Sequence, residues 1–317
     1  AVVVMEVKTG DILAMASYPT FNLQTFNQDY EKLSQDKLKP MYNRALQGAY
    51  PPGSTFKMIT LIAAMNNGFL NADTQIEDKG IYTEHGFNRT CLLWSNARAV
   101  HQDLNGAKAI EASCNYFFYF LGDQLNWQQL NEVAKAFGLG EPTGVELFEY
   151  TGSRANPETK EALYSEGYNV FGEADRLQAS IGQSDNRFTP LQLCVYASTL
   201  ANQGKRMRAT FLNRVVSADY RSLIKESQVE VVSTLKITDD AFEAYHTGMK
   251  MVTQKGPEWN GTAQSTFRTY PIKVAAKTGT AQSGQNEASD NGAFVCYAPY
   301  DDPQIAIAVY GEKAAHG

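Results

Sequence analysis

The chain reads as an α+β protein: an antiparallel sheet formed by its N- and C-terminal strands, flanked by a mostly helical middle region. Three observations predict this. Residues 1–7 and 12–16 are apolar runs split by a turn. Residues 271–276, 293–297 and 305–310 are three more runs near the other end. Between them, the segments 54–69, 105–121, 127–137, 190–203 and 239–253 read as helices. Strands grouped apart from helices, without strict alternation, indicate α+β. Strands at both ends need hydrogen-bonding partners, and one sheet joining the ends is the economical solution.

Ala1-Val2-Val3-Val4-Met5-Glu6-Val7 is β-branched and apolar, Lys8-Thr9-Gly10-Asp11 is a turn, and Ile12–Ala16 returns. The first helix follows Pro51-Pro52-Gly53, with Ser54 and Thr55 where caps belong and Gly68 near its end. The second is Ala-rich and then aromatic, from Tyr116 to Phe120, which reads as core packing. The third closes at Gly138. The fourth opens at Thr189-Pro190 and stops at Gly204, a Pro-first, Gly-last pattern. Tyr300-Asp301-Asp302-Pro303 is the turn between the last two strands.

With 317 residues and 43% hydrophobic content, the chain can bury a large core, which excludes a disordered segment. A net charge of −6 excludes the basic surface that nucleic acid requires. Four cysteines are too few for a disulfide framework, and Cys194 and Cys296 read as core residues. No apolar run approaches the ~20 residues that span a bilayer. The sequence starts inside a strand without an initiator Met and stops just after another, so 1–317 is expected to be one domain cut from a longer protein. His246, on a surface helix, and His316, near the end, have no evident partner.

Three short motifs could carry chemistry. Ser54-Thr55-Phe56-Lys57 puts a Ser and a Lys three apart at a helix start, hence side by side. A serine hydroxyl needs a base to become a nucleophile, and a lysine serves only where burial or positive neighbours lower its pKa. A capped helix with an exposed lysine explains the same four residues. Ser113-Cys114-Asn115 places two poor helix formers inside an apolar stretch, and they could aim into one cleft or be satisfied locally. Lys277-Thr278-Gly279-Thr280 directly follows the 271–276 strand, where a Gly permits close approach of backbone or ligand. The same tripeptide at Lys8-Thr9-Gly10 sits on a hairpin turn and is a decoy.

Together and in this order, the three motifs resemble the signature of penicillin-binding proteins and serine β-lactamases. The approach Asn43-Arg44-Ala45-Leu46-Gln47-Gly48-Ala49-Tyr50-Pro51-Pro52-Gly53 is similar to that of the transpeptidase domain of class B penicillin-binding proteins. So are Gln178–Gln183, Thr189-Pro190-Leu191-Gln192 and Leu200-Ala201-Asn202, and the resemblance covers the whole chain. It looks most like the elongation-type, penicillin-binding protein 2-like branch.

The resemblance implies a penicillin-binding fold and a D,D-transpeptidase acting on peptidoglycan stem peptides. Ser54 would be acylated, Lys57 would be its base, Ser113 would relay a proton to the leaving amine, and Asn115 would hold Lys57 and the substrate amide. Lys277 would keep the cleft positive and help neutralise Lys57 by repulsion. Thr278 and Thr280 would bind the donor's terminal carboxylate or that of a β-lactam, beside Gly279. The backbone N–H groups of Ser54 and Thr280 would form the oxyanion hole. The parent protein would be anchored at the extracytoplasmic face of the bacterial membrane beside a glycosyltransferase of the elongation machinery, with an N-terminal pedestal absent here.

Catalysis of this kind needs no cofactor, but Cys91, His101, Cys114 and Asp103 could form a structural zinc shell; His85 is also near in sequence. Two unrelated buried thiols or a Cys91–Cys114 disulfide are alternatives. A β-lactamase would need a deacylating glutamate, and Glu146, Glu149, Glu158 and Glu173 match no such device. A β-lactam sensor would need a helical membrane module.

Overall fold

In a computed structural model describing residues 1–256, 260–281 and 290–314, the two chain ends share one sheet. Its five antiparallel strands run in the order Ala275–Ala281, Asn291–Ala298, Ile305–Gly311, Val2–Glu6, Ile12–Ala16. Val4 faces Ile307 in the strand pair that joins the ends. Side-chain alternation explains the layering: Val3 and Met5 are buried from one strand, Ala306, Ala308 and Tyr310 from the next. Against them lies the helix Pro190–Ala201, buried from Pro190 through Leu200 and opened by a Thr189–Gln192 capping box. Cys194 approaches the carbonyls of Val3 and Ala306 at 3.5 and 3.4 Å, and Cys194 and Cys296 are both core residues, as expected.

The helical layer is centred on Lys57–Asn66, buried at every position from Lys57 to Met65. It packs against the helices Asn115–Gln124, Trp127–Ala136 and Asp239–Met251. No helix among the described residues is long and apolar enough to cross a membrane.

Three boundaries differ from the sequence reading, and each bears on the site. The segment expected as a helix over 54–69 begins as a 3-10 turn, Gly53–Phe56, and becomes α-helical at Lys57. The segment 105–121 is two helices, Gly106–Glu111 and Asn115–Gln124, broken at Ser113, whose φ is +53°. The strand expected at 271–276 is Ala275–Ala281, so Lys277-Thr278-Gly279-Thr280 lies within it. Helices Phe26–Gln35, Pro157–Leu163 and Glu173–Ala179 are additional to those expected. His246 is not an unpartnered surface residue. It is half-buried, with Nδ1 2.7 Å from the Tyr297 hydroxyl and its ring stacked on Tyr300 at 4.0 Å. His316 lies outside the described residues.

Gly182 shows how tightly the segments close. Its φ is +77°, its carbonyl accepts from Gly53 N–H at 3.0 Å, and a Cβ there would lie 2.1 Å from the Gly53 carbonyl oxygen. Gly68 has a similar φ of +75° but open space around it. Gly68→Ala should therefore cost only the left-handed backbone strain, about 1 kcal/mol. Gly182→Ala should cost clearly more, on the order of 3 kcal/mol or above, because the backbone must also part. Denaturant unfolding of both variants measures the difference; equal losses would show that the close approach carries no energetic weight.

Candidate active site

Ser54 sits in the 3-10 turn ahead of the buried helix, and backbone contacts fix that turn on three sides. The Thr55 hydroxyl donates to the Pro52 carbonyl at 2.8 Å, and the buried Tyr196 hydroxyl donates to the Thr55 carbonyl at 2.9 Å. The motif strand lies flush against it: a Cβ at Gly279 would meet Pro52 O at 2.7 Å, and one at Gly53 would meet Thr280 O at 2.5 Å. Glycine at these two positions is what lets strand and turn approach.

Both motif lysines are wholly buried. Lys57 Nζ donates to the Ser113 carbonyl and to Asn115 Oδ1, each at 2.7 Å, and lies 3.3 Å from Ser113 Oγ. Lys277 Nζ donates to Ser113 Oγ at 2.9 Å and to the Thr278 carbonyl at 2.9 Å. The hydroxyl of Ser113 thus joins two amines, and among the described residues neither amine has a carboxylate within salt-bridge distance. The left-handed turn at Ser113 makes this possible, because it breaks the helix and presents carbonyl and hydroxyl to the same cleft.

Burial pushes the Lys57 pKa down to about 8, with the Cys114 and Cys91 thiols opposing. Burial also drives Lys277 well below a free lysine, and the charge on Lys57 adds to that. Burial is the main cause at both lysines, and the mutual repulsion of the two amines adds to it. The pair gives up one of its two protons far below the pH at which free lysine does.

The structure brings Ser113, Asn115 and Lys277 together around Lys57, and Thr278, Gly279 and Thr280 run along the edge strand beside the Ser54 turn. Gln183, which the sequence offers only as the end of the Gln178–Gln183 segment and with no role of its own, donates from Nε2 to the Thr280 carbonyl at 3.3 Å and ties the 180–187 loop to that strand. Lys8-Thr9-Gly10 is a hairpin turn as expected: Lys8 pairs with Asp302 on the surface and the Thr9 hydroxyl donates to Glu6.

Behind the Ser113 turn lies a buried polar group of Asp78, Cys91, His101 and Cys114, whose ligand atoms all fall within 4.8 Å of one another. Cys91 Sγ is 3.6 Å from Cys114 Sγ and 3.5 Å from His101 Nδ1, while Asp78 Oδ2 is 2.8 Å from His101 Nδ1 and 3.5 Å from Cys114 Sγ. Ligands on a tetrahedral zinc ion stand roughly 3.3–3.8 Å apart, so the donor set and the three contacts made by sulfur suit one, while the 2.8 Å Asp78–His101 contact is a hydrogen bond that would have to open for both to bind the ion. The thiols are free; a disulfide needs sulfurs at about 2.05 Å.

The carboxylate in the group is Asp78, not Asp103. Asp103 pairs with Glu77 in the Ile76–Asp78/Gln102–Leu104 ribbon and is exposed, because side chains along a strand alternate in direction. His85 is elsewhere, 2.8 Å from Asp123 on the surface. The hydrogen bond with Cys114 lowers the Cys91 thiol to about 4 against burial. For His101, burial is outweighed by the hydrogen bonds to Asp78 and Cys91, which raise it to about 9.

A serine at a turn, a buried lysine of lowered pKa beside it in sequence, a bridging hydroxyl and a second buried lysine on an edge strand are the parts of a serine acyl-transfer site. The family model described as the penicillin binding protein transpeptidase domain matches residues 1–316, and the chain belongs to that family. It is 33% identical, over 100% of its own length and 48% of the relative's, to the peptidoglycan D,D-transpeptidase MrdA of Acinetobacter baumannii. The chain therefore spans about half the length of this curated relative. Among solved structures it resembles Pseudomonas aeruginosa PBP2 in complex with WCK 5153, with TM-score 0.85 and 27% identity, covering 99% of this chain and 69% of that one. It also resembles the penicillin G acyl-enzyme complex of penicillin-binding protein A from Mycobacterium tuberculosis, with TM-score 0.80 and 25% identity, covering 99% and 68%.

If unprotonated Lys57 is the base, acylation should speed up as pH rises and its proton leaves. Stopped-flow acylation by a penicillin should give a rate constant rising to a plateau with its midpoint near pH 8. A midpoint above about pH 10, where free lysine titrates, would mean burial does not set the base.

Proposed function

We propose that this chain is the catalytic domain of a peptidoglycan D,D-transpeptidase, cross-linking cell-wall stem peptides through an acyl-Ser54 intermediate and inhibited covalently by β-lactams. The observation that carries the reading is the Ser113 hydroxyl set between Lys57 and Lys277, two buried amines with no carboxylate partner among the described residues. Neutral Lys57 takes the proton of Ser54 Oγ as it attacks the penultimate D-Ala carbonyl. The oxyanion is held by the backbone N–H groups of Ser54 and Thr280; loss of one such donor typically costs ~10²–10³ in rate. Ser113 passes the Lys57 proton to the departing D-Ala nitrogen as the C–N bond breaks. An acceptor amine then attacks the ester, giving its proton back along the same path, and Ser54 is released.

Asn115 orients Lys57 and the substrate amide. Thr278 and Thr280 hold the terminal carboxylate, Lys277 keeps the cleft positive, and Gly279 leaves the strand close enough for the two threonines to reach it. With a β-lactam the broken amide stays within the ring remnant, so no leaving group departs and the ester persists. The donor peptide is the substrate; the parent protein is assigned to the extracytoplasmic face of the bacterial membrane, anchored there beside a glycosyltransferase of elongation, with no nucleic-acid role.

A β-lactamase reading finds less support. Glu146 accepts from the Thr210 hydroxyl and Phe211 N–H, Glu149 from Thr143 and Gly144, and Glu173 pairs with Arg176. These carboxylates are engaged in holding loops and helices.

The chemistry itself needs no cofactor. For the buried group we propose structural zinc held by Asp78, Cys91, His101 and Cys114, with Asp103 outside the shell. Such an ion would neutralise the thiolates and fix the turn that carries Ser113 and Asn115.

Ser54→Ala should abolish labelling by a fluorescent penicillin while the protein stays folded by circular dichroism, and Lys8→Ala should label normally. Labelling that survives Ser54→Ala, or disappears in Lys8→Ala, contradicts the assignment. Elemental analysis of purified protein should find close to one zinc per chain, falling sharply in Cys91→Ser; metal-free wild-type protein that melts like Cys91→Ser would remove the zinc proposal.

A further inference from the structure

We infer that Thr262 is a positioning residue for the carboxylate end of the site, its hydroxyl donating to Thr278 Oγ1 so that the Thr278 proton is turned toward the substrate carboxylate. The two hydroxyl oxygens are 2.8 Å apart. The inference rests on the acyl-transfer reading above, in which Thr278 meets that carboxylate.

Each threonine hydroxyl has one proton to give and two lone pairs to receive with, and its rotor settles wherever the partners direct it. An ionised carboxylate only accepts. Thr278 can serve it only by donating, so with ligand bound the proton between the two threonines must come from Thr262. A hydroxyl that already accepts one hydrogen bond is polarised and donates the next one more strongly. Without Thr262, Thr278 would have to order its own rotor on binding.

The placement of Thr262 is built into the fold. Gly261 N–H donates to the Gln254 carbonyl at 3.1 Å, and Ala263 N–H donates to the Val252 carbonyl at 2.9 Å, so Thr262 is held from both sides. A Cβ at Gly261 would lie 2.1 Å from Met251 O and 2.3 Å from Val252 O, so only glycine lets the chain cross the end of the Asp239–Met251 helix here. The Thr253 hydroxyl donates to the Val274 carbonyl at 2.8 Å, tying the start of the same loop to the residue before the motif strand. Among the described residues, Thr278 is the hydrogen-bond partner of the Thr262 hydroxyl.

The test measures acylation of the wild-type chain and of Thr262→Val, Thr262→Ser, Thr278→Val and the Thr262→Val/Thr278→Val pair. Each is reacted with a penicillin and with its methyl ester, and stopped flow separates affinity from the first-order step. Thr262→Val should lower the second-order rate constant for the free acid roughly three- to tenfold, mainly in affinity, the effect of one net hydrogen bond. Thr262→Ser should stay within about twofold of wild type, the methyl ester should not distinguish wild type from Thr262→Val, and the double variant should be no worse than Thr278→Val. An unchanged Thr262→Val, equal losses on acid and ester, or losses that multiply in the double variant would each overturn the inference. If neither compound acylates the wild-type chain, the acyl-transfer reading itself falls and this inference with it, an outcome distinct from the others.

Discussion

Two lysine amines buried with no carboxylate partner among the described residues are the constraint around which the structure is organised. Taking an ion from water is costly, and a lysine in that position responds by giving up its proton more easily. Lys57 and Lys277 can be held there because each comes from an element that cannot retreat. Lys57 opens a helix buried through Met65, and Lys277 lies in a strand paired along its whole length with Asn291–Ala298. Their hydrogen bonds go to oxygens of Ser113, Asn115 and Thr278. These are neutral acceptors, which satisfy N–H groups without restoring the full basicity a carboxylate would confer.

Glycine does the complementary work. Gly53, Gly182 and Gly279 come from three distant stretches of chain, and each lies where a single methyl group would meet a backbone oxygen at 2.7 Å or less. The nucleophile turn, the 180–187 loop and the motif strand can therefore close on one another through backbone atoms. Backbone contacts have no rotamers to reorder, so the position of Ser54 is fixed by the fold more than by its own side-chain neighbours.

Much of this was legible in the sequence, and what was not has identifiable causes. The terminal strands declared themselves by β-branched and apolar runs with a turn between them, and the fourth helix by Thr189-Pro190 and Gly204. The motif strand was placed too early because Lys277 and Gly279 do not look like strand core; their burial comes from contact with the Ser54 turn and Ser113, which is tertiary. The helix over 105–121 gave no sign of dividing, since a left-handed residue is usually glycine and here it is Ser113. Sequence proximity to His101 points to Asp103, and nothing in the sequence points to Asp78. Pairing of Ile76–Asp78 with Gln102–Leu104 brings the more distant carboxylate in and turns the nearer one out.

The left-handed turn at Ser113 is where these lines meet. A non-glycine residue at φ +53° carries about 1 kcal/mol or more of backbone strain, and it persists only where its surroundings leave no alternative. Ser113 N–H donates to Ile110 O, its carbonyl receives Lys57, and its hydroxyl receives Lys277. The next residue, Cys114, is buried in the polar group with Asp78, Cys91 and His101, and caps the helix that starts at Asn115. The strain is thus held from the cleft side by the two lysines and from the core side by the Cys114 contacts. A relaxed, helical Ser113 could not present carbonyl and hydroxyl to the same pair of amines, so the burial of Lys57 and Lys277 and the break in the helix depend on each other.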